Sequence, residues 1–154
     1  MFNRSRARAS LVLGVAVLAV LIAAAASLAA GYGHGRFVGT AKPQFGGGKG
    51  SPITIKVRGS RVRVVEMTYR FDCSSDGSVL TRTLSTPFTR VHSGPAGGGA
   101  TFDGKVTPKE GGSPIDLSVA FGLRRTSVLG TSDATTDVDG LPCMKGLSFK
   151  ANRK

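Results

Sequence analysis

The sequence predicts an all-β fold: an antiparallel β-sandwich or jelly-roll-like barrel of about nine short strands, following an N-terminal signal helix. Beyond residue 30, apolar side chains recur at every second position, which is the period of a strand with one buried face. The chain also contains 22 glycines and 7 prolines, and these interrupt nearly every window long enough for a helix. Turn-rich stretches separate the apolar runs about every ten residues, a spacing typical of sheet proteins.

The first strong element is a β-hairpin. Residues 53–57 alternate isoleucine or valine with polar residues, and the alternation resumes over residues 62–64. Gly59-Ser60 between them predicts a two-residue turn with glycine first. Beyond Val64 the apolar phase slips by one position, to Val65 and Met67. Because such a slip would move every side chain to the wrong face, we expect a bulge near Val64-Val65.

The remaining strands are predicted from the same alternation. The clearest is 115–123, in which apolar and polar or small residues alternate without a break, so that one face should be buried. Glycine-rich or proline-containing stretches at 46–48, 94–99 and 110–114 predict turns. The other predicted strands are 36–40, 79–84, 88–91, 101–106, 127–134 and 146–151.

The N-terminus predicts a signal peptide. Three arginines precede an uncharged apolar run over residues 11–22, and small residues follow. Small side chains at the −3 and −1 positions favour cleavage after Ala29, with Ser27 and Ala30 as neighbouring sites. No arginine pair stands in the basic head, which favours the general secretory pathway. A retained membrane anchor is the competing prediction, because residues 11–30 are just long enough to cross a bilayer core of roughly 30 Å.

The chain therefore divides into three expected parts. Residues 1–29 are the signal peptide, residues 30–52 are a glycine-rich lead-in with a possible first strand, and residues 53–154 are the β-sandwich domain. A mature chain of this length is about one domain and can bury a substantial core.

The two cysteines predict one structural disulfide. Cys73 and Cys143 are the only cysteines, and an oxidising destination favours their pairing. Their wide separation excludes a C-x-x-C redox or zinc motif. We expect the bridge to tie the last strand to the long strand that ends near Phe71.

Charge is the clearest indication of a partner. The chain has a formal charge of +12, of which Arg4, Arg6 and Arg8 contribute three units, so the mature part carries +9. A basic exported protein is biased towards polyanions such as teichoic acids, acidic polysaccharides, anionic lipid head groups or nucleic acid. Charge that serves only solubility is the alternative.

The predicted hairpin concentrates this charge. With Gly59-Ser60 as the turn, Arg58 faces Arg61 and Lys56 faces Arg63, so four cations share its outer face. Like charges directly across two strands are destabilising, and their presence favours an anionic partner. The alternative is an edge hairpin whose cations prevent aggregation. Further arginines at 70, 82 and 90 would extend the surface if their strands neighbour the hairpin.

The residues of enzyme sites are scarce. Only two histidines are present, and no Gly-x-Ser-x-Gly elbow surrounds a serine. Glu66 is the one candidate acid, because it stands beside the predicted bulge, where side chains are often re-aimed. It could serve a small hydrolase with a nearby aspartate, or simply form an ion pair. We find no complete catalytic constellation and expect no catalytic residue and no cofactor.

Metal and nucleic-acid sites are also disfavoured. Asp137-Val138-Asp139-Gly140 is similar to the centre of a calcium loop, but Thr135 and Gly146 stand where an EF-hand needs an acid and a bidentate glutamate. A solvated acidic turn is the preferred interpretation, and no metal site is expected. Tryptophan is absent and only two tyrosines are present, which disfavours base stacking and gives no indication of sequence-specific nucleic-acid binding.

A further pattern is formed by residues spread over most of the mature chain: Gly35-x-Phe37-x-Gly39-Thr40, Ile53-x-Ile55-x-Val57, Val62, Cys73, Gly130-Thr131 and Cys143-x-x-Gly146-x-x-Phe149-x-Ala151. This pattern resembles that of a group of small exported β-domains from high-GC Gram-positive-type bacteria. The resemblance implies a signal peptide, a β-sandwich and one disulfide, with no known catalytic residues. Such domains often carry tryptophan where Phe149 stands.

The sequence thus leads to two hypotheses of different class. The first is a secreted, non-enzymatic β-domain that contacts an anionic cell-envelope component through Lys56, Arg58, Arg61 and Arg63. The second is a small extracellular hydrolase that uses Glu66. In either case contact with the membrane is expected only if the N-terminus stays uncleaved.

Overall fold

The computed structural model describes residues 34–45, 48–73, 76–94 and 97–154. They belong to one compact unit, residues 32–154. The signal segment 1–29 and its cleavage sites at Ala29 and Ala30 lie outside the described residues, so both stay predictions. No helix within the described ranges is long and apolar enough to cross a bilayer.

The all-β prediction is confirmed: the described residues form ten antiparallel strands in one sheet. The hydrogen-bonded order is β4-β3-β2-β1-β10-β9-β8-β7-β6, with β5 pairing beside β4 on β3. The strands are β1 Gly35–Pro43, β2 Ser51–Arg58, β3 Arg61–Phe71, β4 Leu80–Leu84, β5 Thr89–Arg90, β6 His92–Gly94, β7 Gly97–Val106, β8 Ile115–Leu123, β9 Ser127–Val138 and β10 Leu141–Arg153.

The strand order is that of a meander, except that the first and last strands are neighbours in the interior of the sheet. Most neighbours along the sheet are consecutive in sequence, and the pairing of β1 with β10 joins the two halves. The possible first strand of the lead-in is therefore β1, an interior strand between β2 and β10. The sheet is not closed, because β4 and β6 end the path.

The apolar alternation determines which face is buried. In β8 the residues alternate strictly between buried and exposed, as the sequence predicted. In β3 the alternation breaks at the expected place: Ile55 pairs with Val64 and Thr54 pairs with Glu66, so Val65 is the extra residue of a bulge. Val64 and Met67 are both buried as a result. The bulge keeps the whole of β3 in phase with the core.

The predicted disulfide joins strands that are not neighbours in the sheet. Cys73 follows the end of β3, and Cys143 lies within β10, with a Cα–Cα distance of 5.8 Å. Two strands separate β3 from β10 along the sheet, so the bridge connects its two halves. A second link between the halves lies in the core, where the Tyr69 hydroxyl donates a hydrogen bond to Ser132 Oγ at 2.7 Å.

Tyr69 gives the core a predicted pH dependence. Burial raises the pKa of the Tyr69 hydroxyl well above its ordinary value near 10, and the hydrogen bond to Ser132 offsets only part of this rise. The unfolded chain therefore loses this proton first, so the contribution to stability is complete below pH 10 and falls as the pH rises above it. Above pH 10 we expect the free energy of unfolding to fall by up to about 1.4 kcal/mol per pH unit, as measured by urea unfolding. A Tyr69→Phe variant should lose less; an identical alkaline slope in both proteins would contradict this assignment.

Candidate anion-binding surface

The hairpin places four cations as the sequence predicted. Arg58 pairs with Arg61 across β2 and β3, and Lys56 pairs with Arg63. The intervening pair, Val57 and Val62, is buried, so the cations lie on the outer face. Gly59 in the turn has a φ of 56°, which agrees with the predicted glycine-first turn.

Two further arginines join these four through neighbouring strands. Arg90 in β5 pairs with Arg61, and Arg36 in β1 pairs with Lys56. Neighbouring strands are about 5 Å apart, so these positions form two rows of closely spaced cations. We call the set Arg36, Lys56, Arg58, Arg61, Arg63 and Arg90 the basic surface.

The other two arginines considered from the sequence do not belong to it. Arg82 pairs with the buried Tyr69, so it lies on the opposite face of the sheet. Arg70 lies at the far end of β3, where it lines a small cavity with Lys49, Asp72 and Lys145. The basic surface is therefore confined to the turn end of the hairpin and its neighbours.

An aromatic ring supports two of the guanidinium groups. Phe88 precedes β5 and is half-buried, with Arg63 Cζ 4.8 Å and Arg58 Cζ 5.5 Å from its ring centroid. Such contacts contribute about 0.5–1 kcal/mol each at exposed sites and restrict the guanidinium groups. Arg63 Nε is buried and has no hydrogen-bond partner. Phe88 thus positions the arginines.

The basic surface carries no compensating acid. The ion pairs among the described residues use Lys105, Lys109 and Lys145, none of which belongs to the surface. Several carboxylates lie instead on the outer face of β7–β9, where Asp103, Asp116 and Asp133 border a separate groove. Three lysines elsewhere in the described chain thus have an acidic partner, whereas none of the six cations of the basic surface has one.

The edge-protection interpretation of the hairpin is wrong. β2 lies between β1 and β3, and β3 is covered on its other side by β4 and β5. Cations on interior strands do not shield a free edge. Their accumulation therefore needs another explanation.

The accumulation of cations predicts that removing one of them stabilises the fold. Arg61 stands directly opposite both Arg58 and Arg90, so Arg61→Glu converts two like-charge pairs into opposite-charge pairs. We expect the free energy of unfolding to rise by about 1 kcal/mol at low salt. Urea unfolding of Arg61→Glu beside Arg124→Glu, an exposed arginine in the β8–β9 connection, measures this gain. No gain at low salt, or one that persists at 1 M salt, would show that repulsion is absent.

The remaining sequence candidates do not form a site with one another. Glu66 is exposed and its carboxylate pairs with Lys109 Nζ at 3.3 Å. Asp139-Gly140 is the β9–β10 turn, with φ values of 54° and 77°, which explains the Asp-Gly sequence by turn geometry. Among the residues that the structure describes, no group of three or more histidine, cysteine, aspartate or glutamate side chains is placed to hold a metal ion.

Comparison with known proteins adds no assignment. No protein-family model matches the chain, and no curated protein or solved structure matches it at a significant level.

Proposed function

We propose that this protein is a secreted, non-enzymatic β-domain that binds an anionic component of the cell envelope through the basic surface. The observation that carries this proposal is the strand register, which aligns cations across β1, β2, β3 and β5 without an acid among them. Repulsion among these cations raises the free energy of the unbound protein. A bound anionic chain relieves this repulsion, so the arrangement favours binding.

Support for secretion comes from two features. The N-terminal segment has the basic, apolar and small-residue order of a signal peptide. The Cys73–Cys143 disulfide is compatible with an oxidising extracellular compartment. Fractionation of an expressing culture with intact mass measurement tests this part, since the expected product has lost 29 residues and carries one disulfide. A full-length mass in the membrane fraction would contradict release.

The binding proposal is tested with two polymers that differ only in charge. The protein is titrated with labelled dextran sulfate and with neutral dextran of the same length at low salt. We expect saturable binding of the sulfated polymer and none of the neutral one, because the basic surface offers charge without an aromatic stacking platform. Equal binding of both polymers, or binding of neither, would refute the proposal.

A further inference from the structure

A second feature lies on the outer face of β1 and β10, next to the basic surface. It is a shallow groove of about 510 Å³. The register pairs Thr40 with Lys150 and Lys42 with Ser148, and Asn152 lies two residues beyond Lys150 on the same face. All five side chains are exposed and line the groove.

The groove combines two kinds of polar group. Thr40, Ser148 and Asn152 offer neutral donors and acceptors, whereas Lys42 and Lys150 offer ammonium groups. None of the five side chains makes a hydrogen bond or ion pair within the described part of the chain. Their polar atoms are therefore available to a ligand that carries both hydroxyl groups and negative charge.

The groove continues directly from the basic surface. Arg36, Val38 and Thr40 lie at alternate positions of β1, so their side chains share the outer face. From Arg36 to Thr40 the strand advances about 13 Å, which a polymer of a few repeating units spans. A chain bound at the basic surface can therefore enter the groove without crossing another element.

We propose that the groove binds sugar units of an anionic polysaccharide whose acidic groups lie on the basic surface. This inference depends on the proposed function and names the class of the polymer. The size of the groove is in the range of small-ligand sites, about 300–1,000 Å³, and exceeds what one phosphate or carboxylate fills. The neutral hydroxyl and amide groups can both donate to and accept from sugar hydroxyls. A phosphate chain offers only acceptor oxygens, for which the charged lysines are the stronger donors.

The test removes two of the three neutral groups, those of Ser148 and Asn152, and leaves every charge in place. The Ser148→Ala/Asn152→Ala variant is titrated with polygalacturonate, which carries hydroxyls and carboxylates, and with inorganic polyphosphate, which carries charge alone. We expect affinity for polygalacturonate to fall about tenfold and affinity for polyphosphate to change less than twofold. Thr101→Ala/Ser118→Ala, on the outer faces of β7 and β8, is the matched control and should change neither.

Three results would overturn the inference. Equal losses for both polymers would mean that the two positions act only through the general structure, and melting temperatures identify such a case. No loss for either polymer would mean that the groove is not used. If the wild-type protein binds neither polymer, the proposed function fails as well, whereas the first two results leave charge-dependent binding intact.

Discussion

Replacing both Cys73 and Cys143 by alanine is expected to lower the free energy of unfolding by about 4 kcal/mol. The bridge spans a sequence separation of 70 residues, and its removal lets the unfolded chain sample far more conformations. It also connects the end of β3 to β10, which lie on different sides of the β1–β2 pair. Such a loss is a large fraction of the stability of a small domain.

Urea unfolding with and without reductant measures this effect. The wild-type protein should become as unstable in reductant as the double alanine variant is without it, because both lack the same cross-link. Reductant should leave the variant unchanged. A variant that loses less than about 1 kcal/mol would show that the pairing of the two halves is maintained by the core alone.

Reversing two charges of the basic surface should remove most of the binding. We expect Arg58→Glu/Arg61→Glu to weaken the affinity for dextran sulfate about a hundredfold, which corresponds to about 2.7 kcal/mol. The two side chains are directly opposite each other, so their reversal replaces two adjacent charges that attract the polyanion by two that repel it. The two introduced glutamates repel each other about as strongly as the two arginines did, so the variant should still fold.

The matched control for this variant is Arg124→Glu/Arg125→Glu. These exposed arginines lie between β8 and β9, and their reversal changes the net charge by the same amount. We expect less than a threefold loss of affinity, because the control leaves the basic surface unaltered. Equal losses in the two variants would mean that binding depends on net charge and not on the strand register.

The local parts of this fold could be predicted from the sequence. The phase slip at Val65 required a bulge, because the valines and Met67 around it had to reach one core. The glycine in the turn then fixed the pairing of Arg58 with Arg61 and of Lys56 with Arg63. With only two cysteines present, the disulfide followed by elimination, and the structure confirms it.

The parts that depend on distant strands could not be predicted. Arg36 joins Lys56 across the β1–β2 connection, whose length and glycine content gave no register. Phe88 reaches Arg58 and Arg63 because β5 returns to β3, which the alternation around residue 88 did not show. The groove on β1 and β10 requires the pairing of the two ends of the domain, a contact of about a hundred residues' separation.

In the β9–β10 hairpin the acidic turn was predicted, but the strands on either side of it were predicted too short. Predicted strands at 127–134 and 146–151 left the stretch between them as an acidic turn with a weak resemblance to a calcium loop. The two strands instead extend to Val138 and from Leu141, and only Asp139-Gly140 separates them. Both turn residues need a positive φ, which aspartate tolerates and glycine adopts freely. The choice of aspartate at position 139 thus has a conformational explanation.

The salt dependence of dextran sulfate binding tests the central claim most directly. If the six cations of the basic surface displace counterions from the polymer, the logarithm of the affinity should fall against the logarithm of salt concentration with a slope of about −4. The slope for the Arg58→Glu/Arg61→Glu variant should be less steep by about 1.5, whereas Arg124→Glu/Arg125→Glu should keep the wild-type slope. A slope near zero, or the same slope in all three proteins, would contradict binding through the basic surface.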